Sequence, residues 1–375
     1  DNSKLLSALR EDPEGLILFL KNIRKIQFHE INRESVKLKT IFSTEKSFNE
    51  DSSAKRDSFQ TFVRQSLVSK NPATPHEAIY NVNISSTGSR KSQWIIAEQF
   101  GSFKENTIEE VQTGKVPQAA VAARVYSQTE CDKFTGKVFC SLPLPGKTGL
   151  PIHVNGNFEV DSSRRTLWKA DGESLKANWN TSLKQNIVSP LYASLLSYIC
   201  NQKKLKATSI HLLDLCLERS YLLLFPTITN DIDSDWQEMI YEVYRSVSER
   251  GLCVVPVLHS SMHQVPLNYK TILNKTNIKE YTIIWSNVSQ KEPTHAPFLS
   301  VENNALTSIL DDIGMQLVPP TPKMQKIWTS FKKAGVKVKN VCPSTVGNYL
   351  RIKPLNDPTQ TENDLPLPIN KTLIR

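Results

Sequence analysis

Hydrophobic and polar residues alternate most clearly between residues 137 and 168. Ile152, Val154, Phe158 and Val160 share one parity, and the polar side chains between them take the other. Because successive side chains of a strand point to opposite faces, this pattern predicts a half-buried strand with one solvated face. The shorter run from Val138 to Leu142 alternates in the same way, and a loop rich in proline and glycine joins the two runs. We therefore predict a hairpin with a long tip, followed by a short helix capped by Asp161 or Ser162.

The residues before this stretch alternate between strand-like and helix-like patterns. A proline followed by closely spaced apolar residues predicts a helix over residues 13–22, helical spacing predicts another over residues 59–67, and the polar residues 49–55 are interpreted as a mobile turn. Strands are predicted over residues 23–31, 36–42, 78–84, 93–100 and 116–126. Neighbouring strands joined by short turns favour a mixed or antiparallel sheet with packed helices, an α+β fold.

The pattern becomes mostly helical after residue 172. A stripe of apolar residues every four positions predicts a long helix over residues 175–195, which Pro190 should kink or divide. Ser234 and Gln237 form a capping box that opens another helix, and Gly251 ends it. Further helices are predicted over residues 210–224, 305–313 and 323–334, with short strands over 252–258 and 281–285. The predicted organisation is an α+β domain over residues 1–172, a helical α+β domain over 173–353 and a linker over 354–375.

Composition narrows the function classes. The chain has 375 residues, a net charge of +9 and 39% hydrophobic residues, and no apolar run approaches the length of a membrane span. Its six cysteines form no metal-binding spacing, so we expect free thiols, no zinc and a reducing, cytoplasmic compartment. The first residue is not methionine, and we interpret the chain as a piece of a longer protein.

No spacing of nucleophile and base indicates an enzyme, and the scattered histidines, including His153 on the solvated face, are expected at the surface. Gly146-Lys147-Thr148 lacks the glycine five residues earlier that a phosphate-binding loop requires. The adjacent residues Arg164 and Arg165 remain the best candidate site, because guanidinium groups bind phosphate oxygens with a planar fork of donors. An ordinary surface role, one arginine paired locally and the other solvated, stays open.

The run from Leu142 to Trp168, with Thr148-Gly-Leu-Pro-Ile-His-Val-Asn-Gly-Asn-Phe-Glu-Val160 at its centre, resembles the recurrent segment of the sacsin family. The run from Ile17 to Ile26 resembles the segment that follows each ATPase-like domain in that family. The resemblance implies a middle or transducer-like segment after a domain of the ninety-kilodalton heat-shock chaperone type, since the asparagine helix and glycine loop of the nucleotide pocket are missing here. It also implies a chaperone or co-chaperone role in protein quality control, with the seventy-kilodalton heat-shock chaperone, the proteasome and client proteins as partners.

Family members extend a basic side chain from this region to the γ-phosphate of ATP bound by the preceding domain. The resemblance therefore assigns nucleotide contact first to Arg164, then to Arg165 and then to Lys147. We expect no catalytic residue, metal or cofactor within the chain itself. The alternative function is a basic nucleic-acid-binding module that would use Lys332, Lys333, Lys337 and Lys339.

Overall fold

The computed structural model describes most of the chain. The described residues are 2–31, 38–69, 75–88, 90–101, 115–128, 134–169, 174–202, 206–207, 216–217, 219–230, 232, 234–266, 275–288, 306, 309–310 and 315–352. The predicted linker over residues 354–375 lies outside them, as do seven of the fifteen residues of the helix predicted over 210–224 and six of the nine residues of the helix predicted over 305–313.

An eight-stranded sheet forms the first part of the molecule, and its strand order is β1-β2-β3-β4-β5-β8-β6-β7. The strands are β1 (Lys25–Ile31), β2 (Leu38–Ser47), β3 (His76–Ser86), β4 (Arg90–Phe100), β5 (Gln118–Ser127), β6 (Lys137–Cys140), β7 (Leu142–Lys147) and β8 (His153–Gly156). Helices α1 (Asn2–Glu11) and α2 (Glu50–Ser69) accompany it. The five strands predicted over residues 23–126 are confirmed.

The pairing of the last three strands differs from the predicted hairpin. β6 pairs antiparallel with β7, but it pairs in parallel with β8, where Val138 lies beside Val154. The alternating runs are therefore parallel neighbours, and β7 forms the edge of the sheet. The predicted hairpin between them was wrong because the connecting loop itself supplies a strand.

One face of the sheet is covered by residues 12–21, which we call the strap segment. Ile17, Leu18 and Phe19 are buried there against Trp94, Ile96 and Phe139 of the sheet. The prediction of a helix over residues 13–22 was wrong, because the strap segment forms successive turns.

Side chains from the sheet and from α2 hold the strap segment by its carbonyl oxygens. Thr44 Oγ1 donates to Pro13 O at 3.1 Å, Lys46 Nζ donates to Ile17 O at 2.9 Å and also to Leu20 O, and Arg56 donates to Lys21 O. Burial lowers the pKa of Lys46 to about 8, so its amine is protonated at neutral pH. These donors satisfy carbonyl oxygens that a regular helix would have paired internally, which explains the irregular backbone.

The opposite face of the sheet is covered by two helices in series, α3 (Leu175–Leu183) and α4 (Ser189–Gln202). A π-helical turn over Lys184–Val188 joins them immediately before Pro190. The predicted interruption at this proline is confirmed, since a proline has no N–H to continue the preceding hydrogen-bond ladder. Leu191 and Leu195 are fully buried against Val121 of β5 and its neighbours.

The remaining described elements pack behind α4. They are α5 (Ser234–Glu249), the three-stranded antiparallel sheet of β10 (Val255–Pro266), β11 (Lys275–Ser286) and β9 (Lys206–Ala207), and the helices α6 (Pro322–Lys333) and α7 (Pro343–Ile352). α5 begins at the predicted Ser234, and Gly251 follows it with a φ of 61°. The predicted helix over residues 323–334 is confirmed as α6, which Thr321 caps by accepting from Met324 N.

The interpretation of residues 49–55 as a mobile turn was wrong. They open α2, where Asn49 Oδ1 accepts from Ser52 N at 2.9 Å and Glu50 and Asp51 lie at the positive end of the helix dipole. The α+β fold class is confirmed. One hydrophobic cluster includes residues from both sides of residue 172, and the division into domains 1–172 and 173–353 stays a prediction about units that fold independently.

Candidate functional site

The loop that carries Arg164 and Arg165 is built around the carboxylate of Asp161. Asp161 Oδ1 accepts from Arg165 N at 2.8 Å and from Thr166 N at 3.2 Å, and Asp161 O accepts from Arg164 N at 3.0 Å. An antiparallel bridge between Val160 and Leu167 closes the loop at its base. The predicted short helix was wrong here, because the side chain of Asp161 organises a tight turn in its place.

Helix α3 fixes the base of this loop through Asn180, a buried side chain. Its Oδ1 accepts from Glu159 N at 2.8 Å, and its Nδ2 donates to Glu159 O at 2.8 Å and to Trp168 O at 3.3 Å. Trp179 Nε1 also donates to Asn157 O at 2.8 Å. The two ends of the loop are therefore attached to one helix that is itself packed on the sheet.

Arg164 and Arg165 are both exposed at the tip of the loop. Arg164 has a φ of 54°, in the left-handed region that side chains other than glycine, asparagine and aspartate rarely adopt. Within the described part of the chain, neither guanidinium group lies within salt-bridge distance of a carboxylate. Both arginines can therefore bind an external anion.

The electrostatic surroundings separate the two arginines. A hydrogen bond from Ser163, backbone donors and the charge of Arg165 hold the pKa of Asp161 below its ordinary value. Burial raises the pKa of the Cys140 thiol, and the nearby charge of Arg164 opposes that shift without reversing it. The charge of Arg165 therefore acts on a local carboxylate, whereas the charge of Arg164 acts on Cys140 at the end of β6.

Lys147 is exposed at the last residue of β7, opposite Lys137, the first residue of β6. Since four strand residues span about 10 Å, Lys147 and Arg164 neighbour opposite ends of β6. The structure thus brings the two arginines together on one loop and places the third candidate elsewhere along the sheet edge.

A partly buried polar cluster between the strap segment and the sheet was not predicted from the sequence. Lys137 Nζ donates to Asp12 Oδ2 at 2.7 Å, and Asp12 Oδ1 accepts from Gly15 N at 2.9 Å. Lys137 N donates to His153 Nδ1 at 3.0 Å, which leaves the proton of the neutral imidazole on Nε2. The cluster ties the strap segment to both β6 and β8.

His153 is 3% exposed and lies inside this cluster. Its ring stacks on Trp94 with 5.1 Å between ring centroids, and Phe134 and Phe139 flank it at 5.0 Å. Burial lowers the pKa of His153 to about 3. The prediction of a surface histidine was wrong, because the strap segment covers the face of the sheet that the alternating pattern had suggested was solvated.

The sequence did contain a signal for the buried Lys46. Phe42, Thr44 and Lys46 share one parity of β2, and all three are buried. A lysine in phase with an apolar strand face indicates a buried amine with acceptors near it. No comparable signal marks Asp12, whose partner Lys137 lies 125 residues away in the sequence.

Metal and membrane sites are not evident in the described residues. No group of three or more histidine, cysteine, aspartate or glutamate side chains there is placed to hold a metal ion. The described helices are also too short or too polar to cross a bilayer. Cys140, Cys200, Cys216, Cys253 and Cys342 are free thiols, of which Cys216 and Cys342 are exposed.

The chain is similar to a known protein over most of its length. Human sacsin is 25% identical to the chain over 383 residues, an alignment that covers 92% of this chain and 8% of the length of sacsin. The chain matches no protein-family profile, and no solved structure matches it. The chain is therefore sacsin-like over nearly all of its length, and it spans less than a tenth of the relative that it matches.

Proposed function

We propose that the chain is a non-catalytic segment of a sacsin-type chaperone repeat, placed after an ATPase-like domain. The observation that carries the proposal is the similarity to human sacsin over 92% of the chain. The proposed role is to contact nucleotide held by the preceding domain and to couple that contact to protein folding and quality control. ATP would be the ligand of that domain, and this chain would contribute side chains without a cofactor of its own.

Arg164 is the proposed primary contact. Its loop is braced by Asp161 and by Asn180, so little conformational freedom of the backbone would be lost when a phosphate binds. Its guanidinium group is exposed, permanently charged and able to donate two parallel hydrogen bonds to phosphate oxygens. Arg165 is the second choice because the charge of Asp161 lies beside it.

Lys147 is the proposed third contact. It is exposed at the edge strand and, unlike Lys137, has no carboxylate within salt-bridge distance in the described part of the chain. Because it lies beyond the other end of β6, a single phosphate would contact either the arginine loop or Lys147.

The partners and the compartment belong to the same proposal. We expect the preceding ATPase-like domain, the seventy-kilodalton heat-shock chaperone, the proteasome and client proteins as partners in the cytoplasm. Their support is the resemblance to the sacsin family.

The test is a substitution at Arg164 in the longer protein that includes the preceding domain. Arg164→Asn removes the charge and keeps a residue that tolerates the positive φ, so the loop is retained. We expect weaker ATP binding or slower turnover, by roughly tenfold if one charged hydrogen-bond pair to a phosphate is lost.

Arg64→Ala is the matched control, since Arg64 is an exposed arginine on α2. If Arg164→Asn and Arg64→Ala have equal effects on ATP affinity and turnover, Arg164 has no role in nucleotide contact. If ATP does not bind the longer protein at all, the assignment to an ATPase-associated repeat fails as well.

A further inference from the structure

Positive charge is concentrated in one part of the described chain. Residues 315–352 contain seven lysine or arginine residues and neither aspartate nor glutamate, in a protein whose total net charge is +9. They form α6, α7 and the connection between them. This part of the chain therefore carries seven positive charges without an acidic residue of its own to offset them.

α6 separates its two faces sharply. Ile327, Trp328 and Phe331 are buried in the core, whereas Lys326, Thr329 and Lys333 are exposed. In the described residues, no carboxylate lies within salt-bridge distance of Lys326 or Lys333. These two ammonium groups are available to an external anion.

A cleft runs along the exposed face of α6. It has a volume of about 400 Å³ and lies between the helix and residues 227–228. Its lining includes Ile228 and Pro322, which are apolar, and Thr329, with Lys326 and Lys333 at its polar positions. Lys323 Nζ donates to Thr227 Oγ1 at 3.2 Å and so fixes the opposite wall to the helix.

We propose that this cleft binds an acidic segment of a partner protein, with an apolar side chain of that segment seated on Ile228 and Pro322. Lys326 and Lys333 are seven residues apart, a rise of about 10 Å along the helix. Two carboxylates four residues apart on an extended peptide share one face and span about 13 Å, a distance that the flexible lysine side chains can bridge, and the residue midway between them points to the same face. The charge spacing and the apolar floor thus fit a peptide with an acidic residue, an apolar residue and a second acidic residue.

Nucleic acid fits the cleft less well. Single-stranded nucleic acids are bound by stacking of bases on aromatic side chains, and the lining of the cleft contains none. Trp328 and Phe331, which neighbour lining residues in the sequence, are 2% and 0% exposed and belong to the core. In the proposed complex the lysines neutralise carboxylates of the peptide, and Ile228 and Pro322 select for an apolar side chain between them.

The test uses the 375-residue chain and a fluorescein-labelled peptide with the pattern Glu-Ser-Leu-Ser-Glu, whose binding is followed by fluorescence anisotropy. Lys326→Ala combined with Lys333→Ala should raise the Kd roughly fivefold, the combined effect expected for two exposed ion pairs. The matched control is Lys332→Ala with Lys337→Ala, which removes equal charge from residues outside the cleft lining and should change the Kd by less than about twofold.

Thr329→Phe tests the cavity without changing the charge. The new ring would fill the cleft from an exposed position on α6, so binding should weaken while the circular dichroism spectrum and Tm stay unchanged. Peptides with Gln-Ser-Leu-Ser-Gln or Glu-Ser-Ser-Ser-Glu should bind more weakly than the parent peptide.

Three results would overturn the proposal. The first is no saturable binding of the parent peptide, and the second is an equal loss in both double lysine variants, which would indicate a diffuse charge effect. The third is tighter binding of a single-stranded oligonucleotide than of the peptide, with the steep weakening between about 50 and 200 mM salt that phosphate contacts show. That outcome would assign the surface to nucleic acid.

Discussion

Acidification should destabilise the protein through His153. Its imidazole is buried against Trp94, and burial lowers its pKa from 6.5 to about 3. In the unfolded chain the same group has its ordinary pKa, so below pH 6.5 the unfolded state binds a proton that the folded state excludes. Stability due to His153 is therefore complete above pH 6.5 and is lost progressively as the pH falls toward 3.

The magnitude follows from the two pKa values. Each pH unit within the window costs about 1.4 kcal/mol in the free energy of unfolding. Between pH 7.5 and pH 5, protonation of His153 in the unfolded chain therefore lowers the free energy of unfolding by about 2 kcal/mol. Asp12 does not contribute in this range: although burial opposes it, the hydrogen bond and charge of Lys137 keep the pKa of Asp12 below its ordinary value, so it stays ionised.

The assay is urea unfolding of the wild type and His153→Gln at pH 7.5 and pH 5, followed by tryptophan fluorescence. His153→Gln should lower stability at both pH values but should lose about 2 kcal/mol less than the wild type on acidification. The comparison is needed because burial raises the pKa of Glu77 and of Glu98, and such carboxyl groups stabilise the fold at lower pH.

His29→Gln is the control, since His29 lies exposed on β1. The free energy of unfolding of this variant should change between the two pH values as it does in the wild type. The reasoning is refuted if the wild type and His153→Gln lose the same free energy between the two pH values. An independent readout is the Cε1 proton of His153 in NMR spectra, which should show no titration between pH 7.5 and 5.

Two further substitutions test the local architecture. Gly136→Ala would place a Cβ atom 1.7 Å from Ile152 O, so we expect the free energy of unfolding to fall by roughly 3 kcal/mol or more, or the protein to be insoluble. The control Gly146→Ala places a Cβ atom that meets nothing within 4 Å and should be tolerated. Expression yield and urea unfolding distinguish the two variants. Asn180→Ala removes three hydrogen bonds at the base of the arginine loop and should cost about 2–4 kcal/mol, against less than about 0.5 kcal/mol for the exposed Asn178→Ala, as measured by urea unfolding.

The sequence predicted elements well where one local signal determined them. The alternation in β3, β4 and β5, the helix start at Ser234 and the interruption at Pro190 all depend on residues that lie within a few positions of one another. Helix and strand formation at these places needs no distant partner, and the structure confirms them. The fold class followed from the order of these elements.

The errors arose where distant residues decide the local structure. The strap segment has the apolar spacing of a helix, but Thr44, Lys46 and Arg56 compete for its carbonyl oxygens. His153 has the parity of a solvated position, but the strap segment covers that face. Neither contact could be inferred from a single sequence, because no local pattern records which segment lies over the sheet.

In the candidate site, too, local features could be predicted from the sequence, whereas features that depend on distant contacts could not. Arg164 and Arg165 could be recognised as candidates from their residue type, but the sequence predicted a short helix where the structure has a loop. The left-handed backbone of Arg164 and the brace from Asn180 depend on packing between the sheet and α3. The cleft beside α6 needs the loop at residues 227–228, and so the sequence indicated its charge but not its shape.

The strap segment also connects α1 to two strands that are far apart in the sheet. α1 leads directly into it, and Arg10 donates to Ile41 O at 3.2 Å on β2. A force applied to α1 would therefore act both on the ion pair of Asp12 with Lys137 and on the hydrogen bond from Lys46 to the strap segment. A displacement of α1 would therefore act on β2 and on β6 together, two strands that lie toward opposite edges of the eight-stranded sheet.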